Sequence, residues 1–234
     1  MTSNQIKLIA CISMLIDHTA LELLGNVDYL RAAGRIAMPL FAYLIGEGCR
    51  YTRNRSKYFL RIFTLGIFCQ GVYTVAELSS GSFNGVYLNI LITFSVAILL
   101  SFAFLRFEEK KKYSLPVLIL TVALVILFEL FCRKSKSLVG ISVAYDYGIF
   151  GVILPLVSAM FADKKPKLIA FSMALTVFAV YNALSIRYYI FALIALPIIF
   201  MYNGKRGNPR YKYAFYIFYP AHLALIYVIK LLIS

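Results

Sequence analysis

The chain has 234 residues, of which 62% are hydrophobic and 15% charged, with a mean hydropathy of +0.81 and a net charge of +14. So apolar a composition excludes an ordinary soluble domain and places the chain among polytopic membrane proteins, read as one transmembrane domain over residues 1–234. The basic residues sit in short clusters between apolar runs, where they read as orientation signals and lipid-headgroup contacts, so no nucleic acid is expected as a partner. Cys11, Cys49, Cys69 and Cys132 have neither C-x-x-C nor Cys/His ligand spacing. Neither a metal site nor a disulfide framework is indicated.

Apolar runs bounded by charges or by Gly, Asn and Ser clusters give nine candidate spans, at 6–24, 32–49, 58–76, 87–105, 115–132, 142–162, 168–184, 188–202 and 214–233. The expected fold is therefore all-α, a polytopic integral membrane bundle of about nine transmembrane helices. With a cytoplasmic N-terminus, seventeen of the 24 Lys and Arg residues fall on inner segments, so the positive-inside rule selects N-terminus in, C-terminus out. Arg133-Lys134-Ser135-Lys136 dissents by falling outside, which points to a broken or re-entrant path between residues 130 and 150.

The first run contains Met14-Leu15-Ile16-Asp17-His18, a carboxylate beside an imidazole near membrane depth. These two groups interrupt the run, and no small-residue cleavage site follows, so it reads as a helix and not as a cleaved signal. One ionisable group at the centre of a span costs at least ~2.5 to 3.5 kcal/mol, which partners or water must offset. The pair is either a satisfied core contact between helices or a functional polar site. The second run is interrupted by Arg35, Pro39, Gly46 and Glu47, and the proline is expected to kink it. Tyr43, Glu47 and Arg50 recur at helical spacing; either Glu47 pairs with Arg50 or the stripe lines a polar entrance. The third run leads into a turn-rich stretch at residues 79–85, and Asn89 opens the fourth. Further on, Glu129 and Asp146 are acidic residues close to the membrane, the latter beside glycines at 148 and 151 that permit close approach. Tyr202 to Pro209 reads as a tight inner loop, and Pro220 precedes His222, the second of two histidines, inside the last run.

Taken together, Met14-Leu15-Ile16-Asp17-His18, Gly34-Arg35-Ile36-Ala37-Met38-Pro39-Leu40-Phe41-Ala42 with Glu47-Gly48, Thr52 to Arg61, Tyr202-Asn203-Gly204-Lys205-Arg206-Gly207 and Phe218-Tyr219-Pro220-Ala221-His222-Leu223 resemble the TraX family of bacterial membrane proteins. The similarity runs in order over nearly the whole chain. The resemblance implies an integral protein of the bacterial cytoplasmic membrane and an acetyltransferase: the family's namesake is implicated in acetylating a pilin N-terminus, and the family resembles multi-helix acyltransferases supplied with cytoplasmic acetyl-coenzyme A. The implied donor is acetyl-CoA, with no metal, and the acceptor is left open among a protein N-terminus, a glycan and a small molecule.

The residues suit that chemistry. Acetyl transfer to an amine or hydroxyl requires removal of the nucleophile's proton and stabilisation of an oxyanion. Imidazole titrates near neutral pH, which makes His18 the first candidate base and His222 a second candidate for base, acid or acetyl carrier. Adjacent helical residues project about 100° apart, so Asp17 is expected to hold His222 or Arg35 across a helix interface and not His18. Arg35 is a candidate to neutralise Asp17 or polarise a carbonyl. Arg50, Arg53 and Arg55, with Lys57 and Arg61, offer cations for coenzyme A phosphates or serve only as topological charge. Two other classes stay open: a proton-coupled transporter or scramblase using Asp17, His18, Glu47 and His222 as a relay, and a non-catalytic assembly factor.

Overall fold

A computed structural model describes residues 1–25, 27–79 and 85–233. The chain resolves into two compact units: Met1–Leu44 with Leu168–Ser234, and Ile45–Lys167.

The first unit is organised on α1 (Ser3–Glu22), against which α2 (Asp28–Gly34) and α10 (Lys212–Ile233) pack. Thr2 caps α1 through a capping box with Gln5. The loop at 202–209 closes the same end: the Ser3 amide donates to the Lys205 carbonyl at 2.8 Å, and the Asn4 amide to that of Arg206 at 3.2 Å. Those contacts satisfy amides that a helix start leaves open. The buried residues of α1 recur every three or four positions, through Ile6, Ala10, Met14, Asp17 and Ala20, so Asp17 lies on the stripe that faces the protein. A 3-10 helix (Arg187–Ile194) packs on α2 and leads into α9 (Ala195–Phe200).

The second unit is built on α5 (Ile90–Glu108), which contacts α4 (Arg55–Ser79), α6 (Ser114–Val139) and α7 (Gly148–Met160). As expected, Asn89 opens α5: its side chain accepts from the Leu91 amide at 3.0 Å and donates to the Gly66 carbonyl at 2.9 Å. The most apolar window of α5 is 56% buried and that of α6 only 6%, so α5 is the core helix and α6 turns its Leu, Ile and Val side chains outward. Such an outward face suits lipid, where apolar exposure costs nothing.

Among the described residues five helices are long and apolar enough to cross a membrane, at Arg55–Val75, Ile90–Glu108, Ser114–Val139, Lys164–Ala183 and Tyr213–Lys230, with shorter apolar helices at Gly148–Met160 and Arg187–Phe200. Of the nine expected spans, 6–24 forms α1 but carries Lys7, Asp17 and Glu22, and 32–49 is divided between α2 and α3 (Ala37–Tyr51). Pro39 therefore makes no kink: it stands in the first turn of α3, where the missing amide breaks no helical bond. Helix α8 (Lys164–Ala183) matches the seventh span.

The region from 130 to 150 is broken, one of the two paths expected for it. α6 continues through Arg133 to Lys136 and stops at Gly140, whose φ of 74° is the left-handed conformation that glycine adopts cheaply. There follows β2 (Ser142–Tyr145), paired in parallel with β1 (Gly85–Leu88), so the all-α bundle carries one small two-stranded sheet. Its outer edges are closed by side chains: Gln70 bonds the Tyr87 carbonyl and the Asn89 amide, and the Ser135 hydroxyl accepts from the Val143 amide at 2.8 Å. The turn-rich stretch expected at 79–85 falls largely on 80–84, outside the described residues.

Candidate functional site

Asp17 is 6% exposed and is held by two arginines. Arg31, in the last turn of α2, brings Nη1 to 2.8 Å from Asp17 Oδ1 and donates to the Asp17 backbone carbonyl at 3.3 Å. Arg35, at the C-terminal cap of the same helix, donates through Nη2 to Asp17 Oδ2. A carboxylate withdrawn from water costs several kcal/mol unless it is paired and hydrogen-bonded; both arginines pair with it, and Arg35 supplies the hydrogen bond to Oδ2 while Oδ1 is held by the ion pair alone. The approach needs Gly34, because a Cβ there would run into the Asp17 side chain. One turn earlier on α1, the Ser13 hydroxyl donates to the Ala33 carbonyl at 2.5 Å and fixes the end of α2 against it. The guanidinium of Arg35 lies 5.1 Å from the Tyr189 ring and 5.8 Å from the Tyr188 ring, and that of Arg31 6.0 Å from Tyr188. Two tyrosines of the 3-10 helix thus cover the cations with π faces.

His18 follows Asp17 and projects off the buried stripe, where it meets His222 of α10. The ring centroids are 5.2 Å apart at 69°, an edge-to-face contact. His222 is 4% exposed, stacks on Phe218 at 4.9 Å and 11°, and meets the edge of Tyr219 at 5.6 Å. Its Nδ1 lies 2.9 Å from the Phe218 carbonyl. A carbonyl can only accept, so Nδ1 carries the proton, and in the neutral ring Nε2 is left with the lone pair. Nε2 is buried and has no hydrogen-bond partner among the described residues. The imidazole takes the carbonyl one turn back on its own helix.

The structure therefore brings Asp17, His18, Arg35 and His222 together in one unit, with Asp17 on Arg35 and not on His222. The remaining sequence candidates lie elsewhere. Tyr43 is 1% exposed and packs edge-on against Phe171 at 5.2 Å and Tyr202 at 6.0 Å, as a core residue of the first unit. Glu47, in the second unit, pairs with the buried Lys167 and not with Arg50. Arg50 instead donates to the carbonyls of Ala159 (2.8 Å) and Met160 (2.7 Å) and to Glu108 (2.9 Å). It thereby closes the C-terminus of α7, where a cation is favoured. Arg55 is tied to Glu109, and Arg53 is exposed. Asp146 accepts from the Tyr87 hydroxyl at 3.0 Å beside the small sheet, and Glu129 is bonded by Arg133 at 2.6 Å and by the Tyr145 hydroxyl. Among the described residues no group of three His, Cys, Asp or Glu could hold a metal ion.

Sequence reasoning passed over Arg31, Tyr188, Tyr189 and Lys167. Arg31 had a signal, since it stands four residues before Arg35 and so shares a helical face with it. Lys167 had none, because it reaches Glu47 across 120 residues of chain.

Comparison with known proteins bears on this geometry. The model of the TraX protein family matches residues 2–230. The chain is 30% identical to the probable fimbrial assembly protein FimC, serogroup H1, of Dichelobacter nodosus, in an alignment covering 98% of this chain and 96% of that protein. No solved structure matches. With a match over nearly its full length and a relative aligned end to end, the chain belongs to the TraX family.

Proposed function

We propose that this protein is an acetyltransferase of the bacterial cytoplasmic membrane that moves an acetyl group from cytoplasmic acetyl-CoA to an amine, most simply the N-terminus of a fimbrial or pilin subunit. The observation that carries the reading is the buried Nε2 of His222, fixed as a proton acceptor beside His18. Membership of the TraX family and the fimbrial-assembly name of the Dichelobacter relative support the acceptor class.

In this mechanism His222 is the general base, and His18, edge-on to it, packs against the imidazole and holds it in place. The acceptor nitrogen attacks the thioester carbonyl while Nε2 takes its proton. The N–C bond forms, the C–S bond breaks, and the departing thiolate recovers the proton from the imidazolium. Asp17 acts one step back: paired with Arg31 and Arg35, it anchors α1 and so positions His18. The cations for the donor's phosphates are to be sought first at Lys205, Arg206 and Arg210, which are exposed at the loop closing the start of α1. Arg50 and Arg55 are occupied by Glu108 and Glu109, which leaves Arg53 as the less engaged cation of that cluster.

The test is turnover of radiolabelled acetyl-CoA by the full chain in nanodiscs, with a fimbrial-subunit N-terminal peptide as acceptor. Wild type, His18→Ala and His222→Asn would be run side by side. Histidine-dependent transfer to the peptide is expected. Unchanged turnover in both variants would sink the catalytic assignment, and solute flux in liposomes without any acyl donor would favour the transporter reading.

A further inference from the structure

The Asp17 cluster carries more positive charge and more N–H donors than one carboxylate can match, although Asp17 Oδ1, in ion-pair contact with Arg31, also makes no hydrogen bond among the described residues. Asp17, Arg31 and Arg35 together carry one net positive charge. The Arg31 Nε–H is buried and has no acceptor among the described residues, although the Nη1 of the same guanidinium is engaged by Asp17. Glu22, the next acidic residue on α1, is already paired with Lys230 at 2.7 Å, and Asp28 points out to solvent. A withdrawn cation whose hydrogen-bond capacity is only partly used calls for an anion with acceptor oxygens, and guanidinium groups fit carboxylates and phosphates best.

We propose that Arg31 and Arg35 form an anion subsite, next to the His18 and His222 rings, that takes a carboxylate of the acyl acceptor. The inference rests on the acetyltransferase reading for the word acceptor, but not for the site itself. Depth favours an acceptor carboxylate over a donor phosphate. Asp17 lies fourteen residues beyond Ser3 and only five before Glu22, which is about 21 Å and about 8 Å along a helix axis. The exposed cations Lys205 and Arg206 stand at the far end, against Ser3 and Asn4. A nucleotide held by them has its phosphates a membrane leaflet away from Arg31. An acceptor arriving from the Glu22 end meets Arg31 and Arg35 within two helical turns. The subsite then selects acceptors carrying a carboxylate close to the amine that is acylated.

The test is binding by the full chain in chloride-free nanodiscs, with no acyl donor present. The probes are succinate, its neutral isostere succinamide, inorganic phosphate and adenosine 3′,5′-bisphosphate. Thermal unfolding reads saturable stabilisation. Succinate is expected to stabilise and succinamide not, with Arg31→Gln weakening succinate about tenfold or more, as loss of a charged hydrogen bond predicts. Arg31→Gln retains the Asp17–Arg35 pair and so the anchor of α1 on α2. Should that variant nevertheless fail to fold, the wild type still decides: phenylglyoxal modification of Arg31 is expected to slow in succinate. Equal responses to succinate and succinamide, unchanged succinate binding in a folded Arg31→Gln protein, or no protection of Arg31 overturns the subsite. Tighter Arg31-dependent binding of phosphate or the bisphosphate overturns the carboxylate in favour of the donor. Because no donor is present, loss of the acetyltransferase reading leaves the binding result standing, and active wild type without succinate binding removes the subsite alone.

Discussion

His222 Nδ1 donates to the Phe218 carbonyl at 2.9 Å, one turn back on the same helix, and this single bond decides which face of the imidazole is basic. The lone pair is turned to Nε2, in a site closed by Phe218, Tyr219 and His18. His222→Asn keeps a donor where Nδ1 stood and removes Nε2. Acetyl transfer is expected to fall about 10²- to 10⁴-fold, the usual contribution of a positioned base, while the protein inserts and unfolds as wild type does. Steady-state rates measured beside melting curves check this; a variant that keeps its rate removes His222 as the base.

Asp17→Asn deletes the one carboxylate shared by Arg31 and Arg35 and leaves two guanidiniums facing each other under Tyr188 and Tyr189. The expected loss of stability is about 3–5 kcal/mol, as for other buried pairs broken on one side. The second substitution Arg35→Gln, made on top of the first, is expected to restore part of it. Thermal unfolding of the single and double variants in detergent reads the difference, and an unaltered midpoint in Asp17→Asn would show that the pair contributes nothing to holding α1 on α2.

Gly34→Ala places a methyl group on the Asp17 side chain. The end of α2 must back away, at a cost of about 1–3 kcal/mol typical of overpacking. The same shift pulls Arg31 and Arg35 off the carboxylate, so activity is expected to drop with stability. Ala33→Gly, at the neighbouring position, serves as the control that should leave activity intact.

The Glu47–Lys167 pair has both side chains nearly buried, 10% and 3% exposed. Lys167→Met strands the carboxylate and is expected to cost about 3–5 kcal/mol. Adding Glu47→Gln should return most of that loss, since a neutral amide carries no stranded charge. A double-mutant cycle by chemical denaturation gives the coupling directly; additive losses would mean that the two side chains act independently.

Helix α6 offers a clean check of orientation. At 26 residues it is about 39 Å long, enough to cross the hydrocarbon core with turns to spare. Lys111 precedes it and Lys134 lies near its far end. In right-side-out cells a membrane-impermeant maleimide is expected to label Lys134→Cys and to reach Lys111→Cys only after lysis. The opposite pattern would invert the topology.

What the sequence determined by itself is the solvent and the anomaly. Long apolar runs have no stable place but a bilayer, and a carboxylate beside an imidazole inside one of them must be met by partners, so Asp17 and His18 stood out without any structure. The histidine inside the last run stood out for the same reason. Asn89 was legible because a helix cap is settled by residues within a turn of it. The tertiary structure alone decided which partner each group took. Asp17 went to Arg31 and Arg35 because Gly34 lets α2 come close enough for both, and Glu47 went to Lys167 because the fold closes 120 residues of chain. The break of the second run at Arg35 and Ile36, which leaves Pro39 harmless in a first turn, has the same origin. Apolar periodicity records how far a helix could run, whereas the pairing of a buried charge fixes where it must stop.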